Sequence, residues 1–225
     1  MATIEERLSL STCWCSALHT DGYEMISEIR DLGFRRTELS HGIRMSLVPG
    51  IIKALDEGLI KVSSVHNFCP LPASVNHAAP NLFQPSAKSK TEITAWHRYS
   101  KKTIEFAAKV RAPHIVMHSG SVQFRFRSPT EVLEDINAEP AAREAAWYRL
   151  VAQSEKRLPQ VISEYQELLS FAEEHGVVLG AENREGILEL PLDTEFVKFL
   201  QPFDENPKVR YWHDTGHAEI KHQLD

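Results

Sequence analysis

A short apolar run followed by an amphipathic stretch recurs along this chain. Residues 8–12 (Leu-Ser-Leu-Ser-Thr) read as a strand, and residues 23–32 as a helix closed by Gly33. Residues 34–39 form the next strand and 47–57 a helix ending at Gly58. A third strand at 60–65 leads into a loop holding Pro70, Pro72, Pro80 and Pro85. Residues 91–111 put Ile93, Trp96, Ile104 and Ala107 on one helical face, and 115–117 is a short buried strand. The stretch 129–175 reads as helical; Leu158, Val161, Ile162, Tyr165, Leu168, Leu169 and Ala172 recur at spacings of three and four. A fifth strand at 177–181 follows the turn at Gly176. Residues 193–200 form a short helix capped by Asp193, and 209–212 the sixth strand.

Six strand-then-helix units imply a parallel sheet with helical crossovers. Two α/β architectures fit: an open doubly wound sheet and a (β/α)8 TIM barrel. Periodicity does not separate them, and the barrel needs two more strands than the chain shows. At 225 residues, 1–225 reads as a single domain. The 42% apolar and 25% charged fractions exclude a wholly disordered chain. No apolar run approaches the roughly 20 residues that span a bilayer, and residues 1–7 carry no apolar signal core. The net charge of −6 argues against a protein that lives on duplex DNA phosphates. Cys13, Cys15 and Cys69 are odd in number, and Cys13-Trp14-Cys15 is not a C-x-x-C redox motif. They read as reduced, packed thiols of a cytoplasmic protein.

Chemistry-capable residues follow the strands. The second strand ends at Glu38 with His41 beyond it, the third at His66-Asn67, and the fourth at His118-Ser119-Gly120. The fifth ends at Glu182-Asn183-Arg184 and the sixth at His213-Asp214-Thr215-Gly216-His217. In either architecture the carboxyl ends of parallel strands carry the active site. His66, His118, Glu182, Asp214 and His217 are therefore expected on one rim. Their mix of imidazole and carboxylate suits a divalent metal ion. Asp214-x-x-His217 is the sharpest local signal, a carboxylate and an imidazole one turn apart at a helix start. Each residue alone has a plainer reading as a loop hydrogen-bonder; it is their joint placement that points to a site. His213 should point away from Asp214, toward core or a supporting position. Trp14 reads as a pocket wall or a core aromatic, and Arg125 and Arg127 as a solvated loop or an anion contact. His19, His77, His97, His114, His175 and His222 read as surface or packing residues. No G-x-G-x-x-G, P-loop or G-x-S-x-G is present.

The strand-end His66, His118-Ser119-Gly120, Glu182-Asn183-Arg184 and Asp214-Thr215-Gly216-His217 resemble the xylose-isomerase-like TIM-barrel superfamily. That superfamily holds sugar phosphate isomerases and epimerases and the endonuclease-IV-type AP endonucleases. The resemblance covers the whole chain as the first six of eight units. It implies a barrel truncated after the sixth strand, since a His after strand seven and a Glu after strand eight are expected beyond Asp225.

The resemblance further implies that Glu182 and Asp214 are metal ligands, with Mn, Mg, Co or Zn as the ion, and that Glu182 is one of two acid/base carboxylates. His217 would contact substrate and take part in catalysis, and Glu38, His66, His118 and Asn183 would line the substrate pocket. In a multi-metal site His66, His118 and His217 would become ligands. The implied activity is isomerisation or epimerisation of a small sugar-like hydroxy-carbonyl compound through a metal-stabilised enediolate. The expected partner is that small molecule, not nucleic acid or membrane, with a homo-oligomer allowed. Two alternatives stand: an AP endonuclease with a zinc cluster, and a non-catalytic barrel remnant. The loop 67–72 (Asn-Phe-Cys-Pro-Leu-Pro) lacks the clustered Lys and Arg that would hold phosphates.

Overall fold

A computed structural model describes residues 7–223. Residues 1–6, on which the reading of no signal core largely rests, and residues 224–225 lie outside the described residues. The elements run β1 (Leu10–Ser11), α1 (Gly22–Asp31), β2 (Arg36–Leu39), α2 (Val48–Asp56), β3 (Lys61–His66), α3 (Lys90–Lys109) and β4 (His114–Met117). They continue with α4 (Thr130–Leu133), α5 (Pro140–Glu174), β5 (Val178–Glu182), α6 (Phe196–Leu200), β6 (Val209–Trp212) and α7 (Thr215–His222). The strands form one sheet in the order β1-β2-β3-β4-β5-β6. This order resolves the ambiguity left by periodicity. A doubly wound sheet reverses direction at a switch point, whereas each strand here lies beside its predecessor, the winding of a (β/α)8 barrel.

Several expected boundaries move for local reasons. β1 is only two residues long because the Ser11 hydroxyl accepts from Cys13 N at 3.2 Å and turns the chain into a single 3-10 turn, Thr12–Trp14. The long helical stretch breaks between α4 and α5, where Asp135 Oδ1 accepts from Asn137 N at 2.9 Å. Pro140 then opens α5, its missing N–H being one that no helix could use there. Asp193 is not a cap: it begins a 3-10 turn, and Glu195 Oε2 reaches back to Leu192 N at 3.1 Å. Cys13 is exposed, not packed, and Trp14 is 53% exposed, so it is no core aromatic. His213 is exposed as well, its Nδ1 bonded to the Tyr211 hydroxyl at 2.8 Å.

The chain divides into two compact, interleaved units. The first comprises Met1–Leu82, His97–Met117 and Ser170–Leu179. Its core is the apolar faces of α1 (Met25, Ile26, Ile29) and α2 (Ile51, Ala54) with Leu39, Val65, Ile104 and Ala107, all fully buried. α1 and α2 meet backbone to backbone: a Cβ on Gly50 would lie 2.3 Å from Tyr23 N, and one on Gly22 would lie 1.9 Å from Leu47 O. Only glycine permits that approach. β2 aligns Ser11 and Ser64 on either side of Glu38, and both hydroxyls donate to its carboxylate, at 3.0 and 2.8 Å.

The second unit comprises Phe83–Trp96, His118–Leu169 and Gly180–Asp225. α5 presents Leu150, Ser154, Leu158, Val161, Tyr165 and Leu168 on one buried stripe, spaced three or four apart. Tyr165 sits in an aromatic cluster, 5.8 Å from Trp96 and 5.1 Å from Phe199 between ring centroids. No helix among the described residues is long and apolar enough to cross a membrane.

Candidate functional site

β5 ends at Glu182, and the chain turns at once into Asn183-Arg184. Glu182, Asn183 and Arg184 are all buried. His118 follows β4, and its Nε2 lies 3.0 Å from Glu182 Oε2. Arg184 Nη1 donates to the same oxygen at 2.9 Å. The guanidinium also reaches Glu189 Oε1 from Nε at 3.1 Å and Glu185 Oε2 from Nη2 at 3.0 Å. Burial alone would lower the Arg184 pKa. The carboxylates of Glu189, Glu182 and Glu185 outweigh it, so the net shift is upward and the cation is permanent.

Asp214 follows β6 and caps α7, its Oδ1 accepting from His217 N at 2.8 Å. This explains the Asp-x-x-His spacing physically: the carboxylate that starts the helix and the imidazole one turn on share one end of it. Asn183 secures the pair. Its Oδ1 accepts from Asp214 N at 2.6 Å and its Nδ2 donates to Asp214 O at 2.8 Å, so the side-chain amide clamps the Asp214 backbone at both ends. The Asn183 carbonyl accepts from His217 Nδ1 at 2.9 Å, which leaves Nε2 facing Glu185 Oε2 at 2.8 Å. Arg184 Nη1 lies 3.1 Å from both ring nitrogens of His217.

Two loops fix this arrangement from outside. The segment after β4 bridges the segment after β5 in antiparallel fashion at Ser121 and Glu189, with Leu190 N donating to Gly120 O and Val122 N to Leu188 O, both at 2.8 Å. Gly120 has φ +82° and a Cβ there would lie 2.2 Å from Ser86 Oγ, so His118-Ser119-Gly120 needs its glycine twice over. Beside His118, Ser119 Oγ hydrogen-bonds the Tyr165 hydroxyl at 2.9 Å. Burial, with Glu182 nearby, pushes that phenol above its ordinary value despite the opposing Ser119 bond, so it stays neutral.

The second unit thus brings together His118, Glu182, Asn183, Asp214 and His217. The other two candidates lie in the first unit. There Glu38 is held by Ser11 and Ser64, and His66 is buried at the end of β3, with Nδ1 2.9 Å from Asn67 O and its ring edge-on to His41 at 4.7 Å. Sequence reasoning passed over Arg184 as part of a motif, and it missed Glu185 and Glu189 altogether. None of the three ends a strand; the available signal was the density of charge in Glu182-Asn183-Arg184-Glu185. Arg125 and Arg127 are exposed.

Glu182, Asp214 and His217 each offer a ligand atom, and these atoms lie within 4.8 Å of one another. Two carboxylates and an imidazole make a mixed oxygen and nitrogen donor set of the kind that binds divalent ions. The chemistry fits a divalent ion, with Arg184 supplying the balancing positive charge in the protein alone.

No protein-family model matches the sequence, and a search of curated proteins finds no match. Solved structures do match in fold. A D-tagatose 3-epimerase-like protein superposes with a TM-score of 0.62 at 15% identity, over 93% of this chain and 65% of its own. D-psicose 3-epimerase gives 0.60 at 14%, over 95% and 65%. The 3-keto-D-glucoside 4-epimerase of E. coli gives 0.63 at 14%, over 89% and 65%. The chain therefore spans slightly less than two thirds of the length of these proteins. Over that span it shares the α/β fold of these epimerases.

Proposed function

We propose that this chain carries part of the active site of a divalent-metal-dependent isomerase or epimerase acting on a small sugar-like hydroxy-carbonyl compound. The observation that carries this reading is the cluster of Glu182, Asp214 and His217 at the carboxyl ends of neighbouring strands, on a fold shared with sugar epimerases. Glu182 and Asp214 would hold the ion, which would polarise the substrate carbonyl when bound. Glu182 moves the proton at the carbon beside that carbonyl. Its carboxylate is aimed by His118 and Arg184, so its orientation is set before substrate arrives. Asn183 acts through Asp214, since both ends of its amide are engaged on that backbone. His217 Nε2 is the imidazole atom available to a substrate hydroxyl, with Glu185 as its neighbour. The net charge of −6 supports a small-molecule substrate over a nucleic acid.

The test is solvent-deuterium incorporation into a panel of ketoses, D-psicose and D-tagatose among them, with Mn2+ present. Exchange by the protein, reduced at least about 100-fold in Glu182→Gln, is the expected result. Exchange that persists in that variant, or a metal-loaded protein that exchanges no ketose of the panel, overturns the proposal.

A further inference from the structure

We propose that Cys15, His19 and Glu28 form a second site for a divalent cation of zinc-like chemistry, sharing no residue with the Glu182 cluster. The three ligand atoms (a thiol sulfur, an imidazole nitrogen and a carboxylate oxygen) lie within 4.8 Å of one another. All three residues belong to the first unit. Cys15 closes the 3-10 turn after β1 and is fully buried. His19 lies four residues on, in the loop before α1, and its Nε2 contacts Glu28 Oε2 directly. Glu28 projects from α1 itself.

Three features make this a site and not a chance meeting of side chains. The Cys-x-x-x-His spacing lets two donors from one loop reach a single ion, as the short ligand spacings of structural zinc sites do. The loop is already held: Ser16 N donates to Thr12 O at 2.8 Å and Leu18 N to Cys15 O at 2.9 Å. Arg44 Nη2 donates to the carbonyls of Ser16 and His19, which ties the two ends of this loop segment together. Finally the charges close. A thiolate and a carboxylate together balance a divalent cation, and the imidazole adds a neutral donor.

The side chains of His19 and Glu28 are 18% and 40% exposed, while Cys15 forms the floor. A water on the open side would complete four-coordination. A sulfur donor separates this site from the all-oxygen-and-nitrogen cluster at Glu182, and sulfur gives it a distinct spectroscopic signature.

The experiment is titration of the purified protein with Co2+, read by near-ultraviolet absorption, followed by displacement with Zn2+. A sulfur-to-cobalt charge-transfer band is expected in the unmodified protein, in Cys13→Ser and in Glu182→Gln, and is expected to vanish in Cys15→Ser. His19→Gln and Glu28→Gln, both at partly exposed positions, should weaken Co2+ at this band by more than about tenfold. No band in the folded protein, or a band that survives Cys15→Ser, overturns the proposal. Should Cys15→Ser fail to fold by circular dichroism, the other two variants decide, and unchanged affinity in both refutes the site. Because the readout is sulfur ligation, it is independent of whether Glu182 acts on any sugar.

Discussion

Replacing Arg184 by methionine removes a cation that Glu182, Glu185 and Glu189 share while keeping much of the side-chain volume. The Arg184 side chain is 10% exposed and that of Glu182 is 6% exposed, so their pair is effectively inside the protein. Breaking a buried ion pair from one side costs about 3–5 kcal/mol, because the remaining charge is stranded. Glu185, at 41% exposure, is screened by solvent and adds little; Glu189, at 15%, adds an intermediate share. Relaxation of the loop between Arg184 and Glu189 lets water reach Glu182, so the lower end, about 3 kcal/mol, is expected. For a chain of this size that corresponds to a drop in Tm of roughly 6–12 °C.

The sign of the pH dependence follows from the same charges. Without the guanidinium, the charged form of the buried Glu182 carboxylate loses a counter-charge inside the protein and is disfavoured there. The penalty is then full at neutral pH and is relieved as pH falls through the carboxylate range. Urea denaturation of the variant should therefore show a deficit that is largest near pH 7 and narrows toward pH 5. Adding Glu182→Gln to Arg184→Met should recover most of it, since the stranded charge is gone. An unchanged midpoint in Arg184→Met, or a deficit indifferent to Glu182→Gln, would refute the assignment of Arg184 as the charge-balancing group.

Two further outcomes are expected. Gly50→Ala should destabilise the protein, because its Cβ would meet backbone atoms of α1 at 2.3 Å and neither helix has a side chain to move aside. Overpacking of about 1–3 kcal/mol outweighs the ~1 kcal/mol that alanine gains over glycine in a helix; a raised urea midpoint would show that α1 and α2 part freely. Native-state alkylation at pH 8 should label Cys13 alone. Burial, then Glu28, pushes the Cys15 thiol up to about 11, and burial, then Glu38, pushes Cys69 well above its ordinary value, so in the metal-free protein both remain protonated and covered. Mass spectrometry showing Cys15 or Cys69 labelled as fast as Cys13 would contradict this.

Much of the architecture was legible in the chain because it is written locally. A run of alternating or apolar residues makes a strand wherever it falls, and a three-four repeat such as Leu158, Val161, Tyr165 and Leu168 makes a helix face. The strand-end position of Glu182 and the cap of Asp214 on His217 are likewise local, since each depends on a few adjacent residues and the backbone they share. The misplaced boundaries are local too, but weaker: the Ser11 cap, the Asp135 turn and the reach of Glu195 to Leu192 are single side-chain bonds that hydrophobic period does not register.

What only the tertiary structure decided is partnership. Nothing in the periodicity separates a singly wound sheet from a doubly wound one, because strand order is chosen by which faces the helices cover. Only the pairing of β5 beside β6 brings the Asn183 amide onto the Asp214 backbone. Arg184 reads as the tail of a motif until Glu182, Glu185 and Glu189 close around it. Cys15, His19 and Glu28 read as a packed thiol, a surface histidine and a helix carboxylate until α1 folds back over the loop that precedes it. The sequence by itself determined which chemistry-capable groups stand at the end of each strand. Their mutual distances, and hence their charges and roles, depend on register and helix packing between residues remote in the chain, which no local pattern encodes.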